Sequence, residues 1–148
     1  MSDPSTGPAL PPTRQVGEVH VGDELPELTI PLTRTFIISS AIASRDYQDV
    51  HHDHELAQQK GSADIFNNIL TSNGLVGRFI TDWAGPASRL RKVSVRLGAP
   101  NYAGDTMVLS GQVTAVDGPR VEVSVRGRNS LGDHVTGTVT VELPGGAR

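Results

Sequence analysis

An apolar pattern with helical spacing occupies the middle of this 148-residue chain. Large apolar side chains recur there at steps of three and four residues: Ile65, Phe66, Ile69, Leu70, Val76, Phe79, Ile80 and Trp83. The pattern predicts an amphipathic helix over residues 63–83, which starts after Ser62 and ends at Gly85. Asp64 falls in the first turn, where an acidic side chain suits the helix dipole. Such a broad apolar face must be covered by another layer of structure, which constrains the rest of the fold.

The second half of the chain alternates between apolar and polar residues, as strands with one buried face do. Four segments are predicted to be strands: residues 93–97, 105–116, 121–125 and 135–141. Asp117-Gly118 and Gly132-Asp133 supply turns, and residues 28–30 are typical of a short edge strand. We therefore predict the α+β class, with an antiparallel β-sheet wrapped around one long central helix.

Two shorter segments precede the long helix. Residues 35–42 form a β-branched apolar run that fits either a buried strand or the start of a helix. Asp53 is suited to cap a short helix that runs to Gln59 and is ended by Gly61.

Composition limits the kinds of partner and location. The net charge of −3 argues against nucleic acid, no apolar run reaches the ~20 residues that span a bilayer, and cysteine is absent. The first residues have neither a basic nor an apolar signal segment, so we expect a cytoplasmic protein without a membrane partner. Residues 1–16 contain four prolines and are predicted to be a disordered tail, followed by a single domain over residues 17–148.

One stretch of the sequence places an acid and an imidazole close together. Asp46 and His51 are five residues apart, just after the apolar run of residues 35–42. A carboxylate and an imidazole on one loop can hold a water molecule and exchange protons with it. The same residues can instead be a turn-forming Asp and a hydrogen-bonded loop histidine, and the spacing alone leaves both interpretations open.

A metal site is a further interpretation of the same stretch. His51, His52 and His54 lie near one another, and histidines at helical spacing can share a cation. No Cys and no second tight cluster of His or Glu completes a ligand shell. We therefore expect no metal and keep a small metal-binding protein only as a rival hypothesis.

The segment from Asp46 to Ala57 resembles the hydratase-2 motif of the MaoC-like, R-specific enoyl-CoA hydratases. The positions that match this motif are Asp46, Val50, His51 and Ala57. The Gly, Asn and Pro that the family usually has are replaced here by Arg45, Gln48 and Asp49.

This resemblance implies a hot-dog fold and the addition of water to an enoyl-CoA thioester, with no cofactor because CoA is part of the substrate. It assigns catalysis to Asp46 and His51. The family's oxyanion hole, a backbone N–H, falls by position on Asn68, with Asn67 beside it as a second candidate donor.

Three basic residues follow the long helix, Arg89, Arg91 and Lys92. Basic side chains near the mouth of a pocket can bind the phosphates of CoA. They can equally form the solvated face of a strand, and the sequence leaves this choice open.

Four blocks of the chain resemble one subgroup of the family, the small catalytic subunits of two-subunit hydratases in actinobacterial steroid side-chain degradation. The blocks are residues 45–53, 64–71, 81–86 and 127–135. The resemblance implies an acyl-CoA substrate with a shortened steroid side chain, a second MaoC-like hot-dog subunit as partner, and assembly into a heterotetramer. A chain long enough for only one hot-dog unit should also expose apolar surface where the partner binds.

Two rivals remain within the same fold. One is a 3-hydroxyacyl-thioester dehydratase of fatty acid metabolism, which runs the same reaction in reverse. The other is a non-catalytic hot-dog subunit that only shapes its partner's pocket, although the presence of both Asp46 and His51 favours a catalytic chain.

Overall fold

The structure is a computed structural model that describes residues 9–145. Within these residues the chain forms five strands and three α-helices: β1 (Glu24–Pro31), α1 (Arg34–Ala43), α2 (His54–Gln59), α3 (Ile69–Ala84), β2 (Arg89–Leu97), β3 (Thr106–Asp117), β4 (Arg120–Asn129) and β5 (Gly132–Glu142). Two short 3-10 turns lie at Val16–Glu18 and Asp49–His51.

The strands form one antiparallel sheet in the order β1-β3-β4-β5-β2. Its register places Val113 opposite Val123, and Val123 opposite Val139, and all three side chains are buried. β1 is an edge strand, as the sequence predicts for residues 28–30. The α+β class and the antiparallel sheet are therefore confirmed.

α3 lies across one face of this sheet and contacts β1, β2 and β5. Its buried side chains include Val76, Phe79 and Ile80. A Cβ at Gly111 of β3 would lie only 3.0 Å from the Phe79 ring, so the absence of a side chain there makes room for the ring. The predicted packing of the long helix on the sheet is confirmed.

The predicted start of the long helix at residue 63 is wrong, because α3 begins at Ile69. Asn68 has an extended backbone and caps the helix, and its side chain accepts a hydrogen bond from the Thr71 N–H. The preceding residues are held extended by other parts of the chain: the Phe66 N–H donates to the Val50 carbonyl. Tertiary pairing thus outweighs the apolar pattern of this segment.

Residues 35–42, which the sequence left undecided, belong to helix α1. Thr33 caps α1 by accepting a hydrogen bond from the Phe36 N–H at 3.0 Å. The predicted short helix after Asp53 is confirmed as α2, since the Asp53 side chain accepts from the Leu56 N–H at 3.0 Å.

The predicted boundary between tail and domain at residue 16 stays a prediction. Residues 1–8 of the predicted tail lie outside the described residues, but Thr13 and Arg14 contact the end of α3. The Arg14 N–H donates to the Ala84 carbonyl at 2.9 Å, and Thr13 Oγ1 accepts from the Ala87 N–H at 2.9 Å. This pairing supplies a donor to one of the carbonyls that a helix leaves unsatisfied at its C-terminus.

α1 ends in a Schellman motif, in which the chain reverses after the helix and two N–H groups return to the last turn. The Asp46 N–H donates to the Ala41 carbonyl at 2.9 Å and the Arg45 N–H to the Ile42 carbonyl at 3.0 Å. Arg45 occupies the left-handed position of this motif with φ of 58°. Glycine is the residue that adopts this conformation without steric cost.

We expect Arg45→Gly to stabilise the protein by about 1 kcal/mol, because the left-handed backbone costs an L-residue roughly that much. The exposed Arg45 side chain has little packing to lose. For a chain of this size the gain corresponds to a melting temperature about 2–4 °C higher, measurable by thermal unfolding. Arg45→Ala keeps the steric cost and should leave the melting temperature near that of the wild type; equal shifts in both variants would contradict the explanation.

Candidate active site

The structure brings Asp46 and His51 together. Asp46 is the last residue of the Schellman motif at the end of α1, and His51 ends the 3-10 turn Asp49–His51. His51 Nε2 lies 3.3 Å from Asp46 Oδ2, and the two side chains are 8% and 20% exposed. The interpretation of these residues as an unrelated turn former and loop histidine is therefore not supported by the geometry.

A backbone carbonyl fixes which nitrogen of His51 carries the proton on the neutral ring. His51 Nδ1 lies 2.7 Å from the Phe66 carbonyl oxygen, which can only accept, so Nδ1–H donates. The Nε2 lone pair then faces the Asp46 carboxylate. Both the Nε2 lone pair and the carboxylate oxygen are acceptors, so either a proton lies between them or a water molecule donates to both. A water molecule held in this way is well placed to lose a proton to one of the two groups.

Asn68 connects this pair to the start of α3. Its side-chain Nδ2 donates to Asp46 Oδ2 at 3.2 Å and to Ser44 Oγ at 2.8 Å. Asn68 itself is 1% exposed, and the Asp46 side chain that it contacts is 20% exposed, so these bonds lie at the edge of the buried interior.

The two predicted oxyanion donors differ in their hydrogen bonding. The Asn67 N–H donates to the Asn101 carbonyl at 3.1 Å and is therefore not available to a ligand, contrary to the expectation from the sequence. The buried Asn68 N–H has no acceptor within residues 9–145. A buried N–H at a helix start is costly when unpaired and is a suitable donor for a developing anion.

A cavity of about 350 Å³ adjoins the acid–imidazole pair. Its lining consists of Asp46, Gln48, His51, Phe66, Asn67, Ile69, Leu97, Gly98, Pro100 and His134. The volume is within the range of small-molecule pockets, and the mixture of apolar side chains with a few polar groups is typical of them.

A second buried histidine, which the sequence analysis did not single out, lies at the same cavity. His134 Nδ1 donates to the Ala99 carbonyl at 2.7 Å, and its Nε2 lies 2.8 Å from Ser72 Oγ. Ser72 Oγ in turn accepts from Asn67 Nδ2 at 2.9 Å. The bonds orient the Asn67 amide and leave its Oδ1 buried without a partner in the described part of the chain. Local sequence gives no signal for this chain of bonds, because His134 is 62 residues from Ser72.

The three candidate phosphate-binding residues lie elsewhere. Arg89, Arg91 and Lys92 are exposed at the start of β2, about 15–25 Å along the strand from the cavity residue Leu97. Arg91 donates to Glu142 at 2.6 Å, and this hydrogen bond lowers the pKa of the Glu142 carboxyl. Binding of CoA phosphates by these residues stays a prediction.

The neighbouring histidines do not form a metal centre in the structure. His54 Nδ1 lies 2.8 Å from Asp64 Oδ1, while His52 is exposed. Between residues 9 and 145, no three His, Cys, Asp or Glu side chains come close enough to hold a metal ion. In the same residues no helix is long and apolar enough to cross a membrane.

Comparison with solved structures defines the class of fold. The R-hydratase PhaJ1 of Pseudomonas aeruginosa matches with a TM-score of 0.81 over 88% of this chain and 85% of its own, at 22% identity. At this identity the likeness shows the fold alone, which is the predicted hot-dog fold. The sequence matches no protein-family model.

Two matches at higher identity define the family. The 3-oxo-4,17-pregnadiene-20-carboxyl-CoA hydratase beta subunit of Mycobacterium tuberculosis is 54% identical over 123 residues, which are 83% of this chain and 95% of that protein. The crystal structure of the ChsH1–ChsH2 complex from Mycobacterium tuberculosis matches with a TM-score of 0.82 and 54% identity, over 84% of this chain and 98% of the matched chain. The present chain therefore belongs to the MaoC-like hydratases, in the family of this beta subunit, and the resemblance drawn from the sequence blocks is confirmed.

The buried His134 should make stability depend on pH. Burial lowers the pKa of its imidazole below the ordinary 6.5, so the folded protein resists a proton that the unfolded chain accepts. The stabilisation is complete above pH 6.5 and is lost as the pH falls from there towards the lower pKa of the folded state. We expect the free energy of unfolding to decrease over this interval, measured by urea unfolding at a series of pH values.

A pair of variants isolates the contribution of His134 to this pH dependence. His134→Asn keeps a donor for the Ala99 carbonyl but cannot titrate, so the decrease should become shallower. His52→Asn removes an exposed histidine and should retain the wild-type slope. An unchanged slope in His134→Asn would show that other groups cause the effect.

Proposed function

We propose that this chain is the catalytic subunit of an enoyl-CoA hydratase that adds water across the 2,3 double bond of an acyl-CoA thioester. The observation that carries the proposal is the 3.3 Å approach of His51 Nε2 to Asp46 Oδ2, near an Asn68 N–H that has no acceptor in the described part of the chain. The 54% identity to a hydratase beta subunit supports the same reaction.

The geometry suggests how the reaction proceeds. A water molecule held by Asp46 and His51 loses a proton to one of them as its oxygen bonds to carbon 3. The electrons of the double bond move towards the thioester oxygen, where the Asn68 N–H stabilises the negative charge. A proton from the other group or from the same one then bonds to carbon 2, which completes the addition of H and OH.

The substrate proposed is a steroid enoyl-CoA with the double bond in a shortened C-17 side chain. The name of the Mycobacterium tuberculosis relative supports this class, since it is a pregnadiene carboxyl-CoA hydratase. A 3-hydroxyacyl-thioester dehydratase would use the same atoms in reverse, and a comparison of acyl groups separates the two hypotheses. No cofactor is needed for either direction.

A second hot-dog subunit is proposed to complete the cleft. Large apolar side chains are exposed on both sides of the site: Ile42 and Tyr47 around the end of α1, and Ile69 and Leu70 in the first turn of α3, each more than half exposed. Exposed apolar surface of this kind marks protein interfaces. The matched structure from Mycobacterium tuberculosis is itself a complex of two named components. Assembly of such pairs into a heterotetramer, and a cytoplasmic location, are further parts of the proposal.

We expect Asp46→Asn and His51→Ala each to lower turnover by ~100-fold or more, because each removes a group that transfers protons. Initial rates of water addition, measured on the purified complex, test this. His52→Ala removes an exposed ring next to the site and should keep wild-type turnover. Circular dichroism and co-purification of the partner verify that each variant folds. Wild-type turnover in either catalytic variant would remove the catalytic assignment.

Co-expression with a hot-dog open reading frame encoded nearby tests partner and substrate together. We expect a stable complex that hydrates a steroid enoyl-CoA with a higher kcat/KM than crotonyl-CoA. A preference for crotonyl-CoA would favour the fatty acid alternative. Full activity of the chain alone would contradict the need for a partner.

A further inference from the structure

We propose that Asn68 is a positioning residue for hydration: its side-chain amide fixes the direction of the Asp46 carboxylate. The inference rests on the proposed function, because it concerns the group that holds a catalytic residue. It assigns to the Asn68 side chain a role that is separate from the role of its backbone N–H as an oxyanion donor.

The orientation of the Asn68 amide is determined by a backbone donor. Asn68 Oδ1 accepts from the Thr71 N–H at 3.1 Å, which is the capping bond of α3. A backbone N–H cannot accept a hydrogen bond, so the oxygen of the amide must face the helix. The NH2 group is consequently directed away from α3, towards Ser44 and Asp46.

Ser44 accepts one of the two amide protons. Its hydroxyl lies 2.7 Å from the Ser40 carbonyl and 3.1 Å from the Ala41 carbonyl, both in α1. Because carbonyls only accept, the Ser44 O–H donates to them, and its oxygen is left to accept from Asn68 Nδ2 at 2.8 Å. This bond attaches the amide to the end of α1.

The second amide proton is directed at Asp46. Asn68 Nδ2 lies 3.2 Å from Asp46 Oδ2, the same oxygen that faces His51 Nε2 at 3.3 Å. The other carboxylate oxygen accepts from the Gln48 N–H at a long distance, 3.4 Å. The Asn68 amide is thus the closest side-chain donor to the carboxylate among the described contacts, and it holds Oδ2 next to the imidazole.

Two substitutions remove the donor and keep the cap. Serine and aspartate are both good N-cap residues, so Asn68→Ser and Asn68→Asp should retain the cap of α3, and circular dichroism verifies that each variant folds. Neither can donate to Asp46 as the amide does. We expect kcat to fall by about tenfold to a hundredfold with KM nearly unchanged, because a misplaced catalytic group costs this much in rate. Asn73→Ser and Asn73→Asp, on the same helix, are matched controls and should keep wild-type kcat.

The pH–rate profile adds a readout that a purely structural role would not change. Asn68→Asp places a second carboxylate against Asp46, and two close carboxylates resist ionising together. The acidic limb of the profile should therefore move to higher pH in Asn68→Asp, and by a smaller amount in Asn68→Ser, which only loses the hydrogen bond to the Asp46 carboxylate. An identical profile in both variants would contradict direct contact between residue 68 and Asp46.

A double-mutant cycle identifies the path of the effect. If Asn68 acts through Asp46, Asn68→Ser should cost less than about threefold in the Asp46→Asn background, because residues that act as a unit are not additive. A full additional loss in that background would place the effect at the oxyanion donor or the helix start and overturn the inference. Wild-type kcat in Asn68→Ser, with Asp46→Asn inactive, would overturn this inference alone. Activity retained in Asp46→Asn would instead overturn the proposed function.

Discussion

Burial of α3 against the sheet is the constraint on which the site depends. Val76 and Phe79 are almost completely buried, and the Phe79 ring lies over Gly111, where the sheet presents no side chain. Asn68, the N-cap residue of this helix, is also buried, and buried N–H groups at a helix start cannot all rely on water. The Asn68 side chain satisfies one of these donors, while the N–H of Asn68 itself remains unpaired in the described residues. The same burial that stabilises the fold therefore creates a place for an anion.

The acid–imidazole pair is held at this helix start by bonds from several elements. The Asp46 backbone is fixed by the Schellman motif of α1, and its carboxylate by the amide of Asn68. The His51 ring is fixed by the carbonyl of Phe66 and stacks edge-on against the Phe66 ring, with centroids 5.0 Å apart. Phe66 lies in the extended segment just before α3. Both members of the pair thus take their positions from the residues that precede or cap one helix.

The sequence predicts the elements of this arrangement better than their junctions. The alternating valines of β4 and β5 and the cap at Asp53 are local patterns, and local patterns determine these elements. Residues 63–68 have the same apolar character as the helix, and Ile65 is indeed buried, but their backbone pairs with residues 101–103 instead of continuing α3. The spacing of apolar residues shows which side chains enter the core, but it does not show whether their backbone is helical or extended. Asp46 and His51 can be predicted from the sequence because their spacing is short and fits a motif. The contacts of the Asn68 side chain and of His134 cannot, because their partners are 22 and 62 residues away.

The conformation of Arg45 has a consequence for the proposed reaction. A non-glycine residue in the left-handed region costs free energy, and here it directly precedes a residue assigned to catalysis. The chain reverses its direction at Arg45, after the end of α1. The next residue, Asp46, therefore lies beside the start of α3, where its carboxylate accepts from the Asn68 amide. Glycine would allow the same reversal and also many others in the unfolded chain and in local fluctuations. A side chain at this position therefore restricts the backbone conformations available just before Asp46. Under the proposed function, the Asp46 carboxylate then has fewer possible orientations relative to the water molecule. When the carboxylate is oriented before the substrate binds, no free energy is needed to orient it during the reaction. This preorganisation is the main way in which a positioned group increases the rate.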